Sequence, residues 1–235
     1  MEATGKLFLI PNLLGQSAKD EVIPYGVENR INKLTRFIVE NDKTARRHLR
    51  AIGFNSSFDD VELFSIGKHS DISEYPAFLE PALNGIDMGL LSEAGLPGIA
   101  DPGAEIINMA HEKGIKVVPL SGPSSILMAL ISSGMNGQQF TFHGYLPKEK
   151  KERVKKLHQL EKFAQSFGSQ VFMETPFRND QLLRDILNSC TGGTRLCIAC
   201  DITLTTEFIK TKTIAEWKQD IPTLNKRPAV FVLDS

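Results

Sequence analysis

Met88–Ser125, MGLLSEAGLPGIADPGAEIINMAHEKGIKVVPLSGPSS, is the stretch whose reading decides the fold. Met88–Leu91 is a short apolar run ending at Ser92, and a loop with glycines at 95 and 98 and prolines at 97 and 102 follows it. Asp101 then stands where an N-cap belongs, with Pro102 at the first helical position, where its missing N–H costs nothing. Ile106, Ile107 and Ala110 make one apolar face, and Gly114 stops the helix. Ile115–Leu120 reads as a second buried strand, closed by Ser121-Gly122-Pro123 and another helix start. The unit is β-loop-α-β-loop-α. Crossovers of this kind are right-handed with parallel strands, so both loops emerge at one sheet edge, the edge where open α/β sheets bind ligands.

The loop is neither the G-x-G-x-x-G of dinucleotide folds nor a phosphate loop with its lysine. Glycines and prolines without that lysine suit close approach of bare backbone to a ligand. The same glycines also suit a tight strand-to-helix turn with no ligand at all.

Outward from this unit, Lys6–Ile10 reads as a first strand followed by Pro11-Asn12-Leu13-Leu14-Gly15. Gly26–Val39 has helical spacing whose last part could be strand, Val61–Ile66 reads as a strand, and Lys68-His69-Ser70 ends it, with His69 read as a surface loop histidine. Ile126–Ile131 continues a helix, Phe140–His143 is a strand entering Gly144-Tyr145-Leu146-Pro147, and Gln170–Met173 is a strand entering Glu174-Thr175-Pro176. An amphipathic helix with Leu182, Leu183, Ile186 and Leu187 follows. Leu196–Ile202, Glu207–Thr213 and Ala229–Leu233 are the last strands, with a short helix at Ile214–Lys218. The expectation is two α/β domains, an N-terminal one over 1–121 with a parallel sheet and a C-terminal one over 122–235 with a mixed sheet.

The chain has 235 residues, 41% of them hydrophobic, enough for one large core or two modest ones. There is no 18-residue apolar run and no basic-then-apolar leader, so neither a membrane span nor a signal peptide is expected. Three cysteines cannot all pair, which points to a reducing, cytoplasmic compartment. Cys197-Ile198-Ala199-Cys200 lies within a strand pattern that points its two thiols to opposite faces, so it reads as core, and no metal is expected. Net charge is −1, but it is uneven: residues 1–121 carry 12 basic against 17 acidic side chains, and residues 122–235 carry 15 against 11. Two basic clusters stand out, Arg46, Arg47 and Arg50, and the run Lys148, Lys150, Lys151, Arg153, Lys155 and Lys156. Each reads either as a phosphate grip or as a solvated helix face.

Ser92-Glu93-Ala94-Gly95-Leu96-Pro97, with Ile99-Ala100-Asp101-Pro102-Gly103, resembles the S-D-A-G-T-P-x-I-S-D-P-G signature of the ribosomal RNA small-subunit methyltransferase I family, in the tetrapyrrole-methylase superfamily. Pro119–Ser124, Gly144–Pro147 and Glu174–Arg178 are similar to that family's P-L-P-G-P-S, G-[FY]-L-P and E-S-P-H-R, in the same order. Glu40–Arg47 stands where the family has A-E-D-T-R-H-T-R-K, with Asn41 and Lys43 replacing an aspartate and an arginine. The first loop keeps Pro11 but displaces the family's glycine, and the family continues past its last strand into a helical extension.

The resemblance implies two α/β domains with a donor-binding cleft between them, and S-adenosylmethionine as cofactor. It implies contacts from Pro11, Glu93, Ala94, Gly95, Leu96, Ile99, Ser124, Ser125, Glu174 and Ile202. It implies a homodimer and a ribose hydroxyl of ribosomal RNA as methyl acceptor. Removing that hydroxyl's proton calls for a nearby base, and Glu40 and Asp101 are the candidates, since both follow strand ends. A small-molecule acceptor such as a tetrapyrrole, and a non-catalytic paralogue that only binds the donor, remain alternatives.

Overall fold

The computed structural model describes residues 4–67 and 70–235. His69 therefore lies outside the described residues. The chain divides into two units, Met1–Ser124 and Ser125–Ser235.

The first unit is built on β1 (Lys6–Ile10), β2 (Arg36–Val39), β3 (Glu62–Ser65), β4 (Met88–Leu91) and β5 (Lys116–Pro119), in the order β3-β2-β4-β1-β5. All pairings are parallel, with Leu7 opposite Met88 and Val117, and Ile38 opposite Leu90 and Phe64. A parallel sheet covered on both faces needs apolar residues of both parities, and the strands supply them. Phe8, Ile10, Phe37 and Leu91 face one cluster with Val27, Ile31, Leu49 and Phe54. Leu7, Ile38, Met88 and Leu90 face the other, with Leu79, Ala82, Ile106 and Ala110.

The 26–39 region resolves into a helix, Tyr25–Ile31, and then β2. The Asn32 side chain, bonded to the carbonyls of Glu28 and Gly53, ends that helix. The helix after the central loop begins at Gly103, one residue later than Pro102 would place it. Pro102 is thus the N-cap, and Asp101 stands one residue before it rather than at the cap, its Oδ1 accepting the Gly103 N–H at 2.8 Å. At the other end the N–H of Gly114 reaches His111 and that of Ile115 reaches Ala110, the paired bonds of a Schellman stop.

The second unit holds β6 (Phe140–Tyr145), β7 (Ser169–Met173), β8 (Arg195–Cys200), β9 (Phe208–Thr213) and β10 (Ala229–Asp234), ordered β6-β7-β10-β8-β9. Only β6 and β7 pair in parallel; β10 runs against β7 and β8, and β8 against β9. Helices Lys150–Phe167 and Asn179–Ser189 bury Leu157, Leu160, Leu183 and Ile186 against Phe172, Ile198 and Phe231. Trp217 joins that core with its indole N–H donated to the Leu196 carbonyl at 2.8 Å, which satisfies its one polar group. Cys190, Cys197 and Cys200 are buried and unpaired. Among the described residues no helix is long and apolar enough to cross a membrane.

Candidate active site

In the first sheet, β2 and β4 are neighbours whose connections leave in opposite directions, to β3 at one edge and to β5 at the other. Crevices in open α/β sheets form at such a divergence, outside the carboxyl ends of the strands. The residues that follow these two strands, Glu40 and Ser92–Pro97, therefore meet there by topology.

The Ser92–Pro97 loop is pinned from β1's side. Asn12, 1% exposed, donates its N–H to the Gly95 carbonyl at 2.8 Å and its side-chain amide to the carbonyls of Ser92 and Glu93, both at 3.0 Å. Gly95 has φ +68°, and a Cβ there would sit 3.3 Å from Leu14 Cδ2 and 3.5 Å from the Pro123 carbonyl oxygen. The left-handed backbone favours glycine, and a Cβ would need the Leu14 methyl to give by a few tenths of an ångström. Ala100 also lies in the left-handed region, at φ +61°, which is strained for a residue with a Cβ. Asp101 holds that turn in place, its two oxygens accepting the Gly98 N–H at 2.9 and 3.0 Å besides the bond to Gly103. Burial pushes the Asp101 carboxyl above its ordinary range, against the pull of the N–H groups of Gly98, Gly103 and Ile99.

On the other side of the crevice, Glu40 Oε1 accepts the Glu93 N–H at 3.0 Å, and Glu93 Oε1 accepts the Thr44 hydroxyl at 2.6 Å. Asn41 caps helix Asp42–Ala51, its Oδ1 accepting from the N–H groups of Lys43 and Thr44. Asparagine and aspartate cap about equally well, so this substitution leaves the helix start intact. The Glu40 carboxyl is pushed up, first by burial and then by the charges of Asp101 and Glu93, while the Glu93 N–H opposes the shift. Burial also lowers the basicity of His48, one turn beyond Thr44. Glu40, Thr44 and Glu93 share an open cavity of about 1010 Å³ with Ser65, Ile66 and Tyr75 among its other walls. A proton acceptor beside a pocket of that size is what removal of a hydroxyl proton from a bound molecule requires.

The structure thus brings Pro11, Glu93–Leu96 and Ile99 to the carboxyl edge of the first sheet, where Ile99 is 44% exposed. A Cβ on Gly122 would fall 2.1 Å from Pro11 Cβ, so the Ser121–Pro123 turn packs directly on Pro11. Ser124 is buried, and Ser125 opens helix Ser125–Ser133. In the second unit Glu174 and Ile202 follow β7 and β8 at one edge of that sheet. Glu174 is buried, with Oε1 accepting from Arg178 Nη2 at 2.5 Å and from the Thr175 N–H at 2.6 Å. Ile202 lies between Asp201 and Thr203, both with positive φ.

The basic clusters are not uniform. Arg153 is buried in an ion pair with Asp185 and donates to the carbonyls of Pro147 and Lys148, so it belongs to the core. Arg50 donates to the Phe54 carbonyl at 2.6 Å and lies over the Phe58 ring. Lys150, Lys151 and Lys155 are exposed. Sequence reading missed Asn12, Thr44 and Tyr75. Only Thr44 carried a local signal, one helical turn past the cap. Among the described residues no three His, Cys, Asp or Glu side chains are grouped to hold a metal.

The sequence model of the family described as Tetrapyrrole (Corrin/Porphyrin) Methylases matches residues 19–218. The chain is 33% identical over 156 residues to the ribosomal RNA small subunit methyltransferase I of Vibrio cholerae, covering 66% of this chain and 53% of that one. It is 31% identical over 175 residues to the protein of the same name from Haemophilus influenzae, covering 73% of this chain and 60% of the relative. It therefore spans between half and two thirds of the length of these relatives. The methyltransferase CobJ shares the fold, with a TM-score of 0.64 at 15% identity over 99% of this chain and 95% of that one.

Proposed function

Because the chain belongs to the tetrapyrrole (corrin/porphyrin) methylase family, we propose that it is an S-adenosylmethionine-dependent methyltransferase acting on a ribose hydroxyl of small-subunit ribosomal RNA. The carrying observation is the Glu40–Glu93 contact, which sets a carboxylate of raised pKa in the crevice beside the glycine loop. The resemblance of Ser92–Gly103 and the names of the relatives support the donor and the acceptor.

The Ser92–Pro97 loop fits such a donor. It has no lysine or arginine, and Gly95 keeps the backbone bare where a Cβ would crowd Leu14. Pro11, the Glu93–Leu96 backbone and Ile99 would hold the donor, while Ser124, Ser125, Glu174 and Ile202 are assigned to it by the resemblance alone. When bound, the donor supplies a methyl group activated on a sulfonium. Glu40 takes the proton of the acceptor hydroxyl on Oε2 while Glu93's N–H holds Oε1, and its raised pKa makes it the better base near neutral pH. Asp101 shapes the loop through Gly98 and Gly103. The exposed Lys150, Lys151 and Lys155 contact RNA phosphates. The proposal includes a homodimer, for which a monomeric mass in light scattering at micromolar concentration would be the refutation, and a cytoplasmic location.

The test is transfer from tritiated S-adenosylmethionine to small-subunit ribosomal RNA taken from cells lacking this gene. Label should enter one ribose-methylated nucleotide, and Glu40→Gln should abolish most of it. Label entering a tetrapyrrole and no RNA would replace this acceptor with a small molecule, a reading to which the apolar Ile66 and Tyr75 side of the cavity lends weight. Donor binding without transfer to either would leave the binding paralogue.

A further inference from the structure

We infer that Tyr145 and Phe177 form a stacking platform for single-stranded RNA at one edge of the second unit's sheet, with Lys148, Lys150 and Lys226 placed for the flanking phosphates. The inference rests on the RNA acceptor proposed above and assigns that RNA a landing surface.

Single exposed aromatic side chains are common and call for no explanation. These two differ in placement. β6 and β7 are parallel neighbours, Tyr145 pairs with Met173 in their register, and Phe177 follows four residues later, so both residues stand at the same sheet edge. Tyr145 is 56% exposed and Phe177 75%. A register irregularity lies within β6 between Phe142 and Tyr145, with Gly144 at φ +63°; beyond it Tyr145 is exposed while Leu146 returns to the core at 3% exposure. Bulges that re-aim one side chain are over-represented beside functional sites.

Both rings ride on fixed backbone. Arg153, locked by Asp185, donates to the carbonyls of Pro147 and Lys148 at 3.1 and 2.6 Å and so holds the segment after Tyr145. Phe177 lies in the turn Pro176–Arg178, whose Pro176 carbonyl accepts the Lys226 N–H at 3.0 Å, and the next residue, Asn179, donates to the Arg227 carbonyl at 2.6 Å. Lys226 reaches that contact with φ +62°, and its side chain is exposed beside the turn. Lys148 and Lys150, also exposed, come three and five residues after Tyr145. Rigid exposed aromatics flanked by cations are what unpaired bases and their phosphates need, because stacking tolerates any base and little side-chain entropy is lost on binding. A folded protein partner would instead favour a broader continuous apolar patch than two rings among lysines.

The experiment measures binding of a fluorescein-labelled 12-nucleotide single-stranded oligoribonucleotide by anisotropy between 50 and 200 mM salt. The same oligonucleotide with one abasic position in turn, and the isolated base-paired duplex, are run beside it. Phe177→Ala and Tyr145→Ala should each weaken the single strand roughly 5- to 100-fold, Phe177→Trp should retain binding, and the duplex should be indifferent. On the oligonucleotide whose missing base faces the ring, Phe177→Ala should have no further effect. Thermal melts verify folding of each variant, and calorimetry verifies unchanged S-adenosylmethionine affinity. Wild-type single-strand binding that both alanine variants match would overturn the platform and leave the RNA reading standing. Loss of donor affinity in Phe177→Ala would overturn it by placing the ring in the donor site. Wild-type protein that ignores RNA at 50 mM salt would overturn both.

Discussion

Glu40 Oε1 and the backbone N–H of Glu93 meet at 3.0 Å across 53 residues of sequence, tying the end of β2 to the loop after β4. That bond fixes one carboxylate oxygen and turns a solvated acid into a positioned one. A burial-driven rise in pKa brings it closer to the working pH, where a general base is most effective. Glu40→Gln preserves the acceptor for Glu93's N–H and removes the proposed base. Methyl transfer should fall by roughly 10²- to 10⁴-fold. Donor affinity should stay within about twofold, since the loop is still tied down. Single-turnover kinetics and calorimetry separate the two, and equal losses in both would deny Glu40 a chemical role.

The same raised pKa fixes a pH dependence. Folded Glu40 holds its proton more tightly than the unfolded chain does, so its contribution to stability is complete below the unfolded carboxylate range and is lost as pH rises through the folded value. Glutamine does not titrate. The Glu40→Gln melting temperature should therefore gain on wild type as pH rises from the unfolded carboxylate range through the folded value. Parallel melting curves across that range check it, and a gap that shrinks with rising pH would contradict the assignment.

Gly95→Val puts a β-branched side chain at φ +68° and against Leu14. The backbone penalty alone is about 1–2 kcal/mol, and displacement of the loop should remove donor binding. Urea denaturation and calorimetry would show both losses. Wild-type donor affinity in this variant would take the loop out of the site.

Arg153 and its neighbours on the basic helix should separate cleanly. Arg153→Met leaves Asp185 buried without a partner and should cost about 3–5 kcal/mol. Arg153→Met with Asp185→Leu should recover much of it. Replacing Lys150, Lys151 and Lys155 by serine should change stability by no more than about 0.5 kcal/mol each. It should also flatten the dependence of RNA affinity on salt, because fewer condensed counterions are released. Denaturation and binding titrations at several salt concentrations measure the two effects independently.

The three thiols are inside the second unit's core. Burial pushes Cys190 up to about 12 and Cys200 to about 11, and raises Cys197 as well. None should react with iodoacetamide at pH 8 in the native protein, and all three should react in urea. Mass spectrometry counts the adducts, and native alkylation would show that this core opens readily.

Local chemistry in the sequence was enough to determine the β-loop-α-β unit. The apolar run of β4, the Asp101 carboxylate at the helix start and the Gly114 stop act within a few residues of themselves. The ordered motifs around it likewise carry the resemblance to the methylase family to which the chain belongs. The tertiary structure alone decided which ends meet. Asn12 finds Ser92 and Glu93 at separations of 80 and 81 residues, and Glu40 finds Glu93 because β2 and β4 are neighbours while β3 is set outside them. In a parallel sheet each strand is a self-sufficient apolar run, so its pattern says that it is buried but not beside which strand. Side-chain roles follow the same limit. Arg153 and Lys155 look alike in a run of basic residues, and only the position of Asp185 across the helix pair makes the first a core residue and leaves the second to solvent.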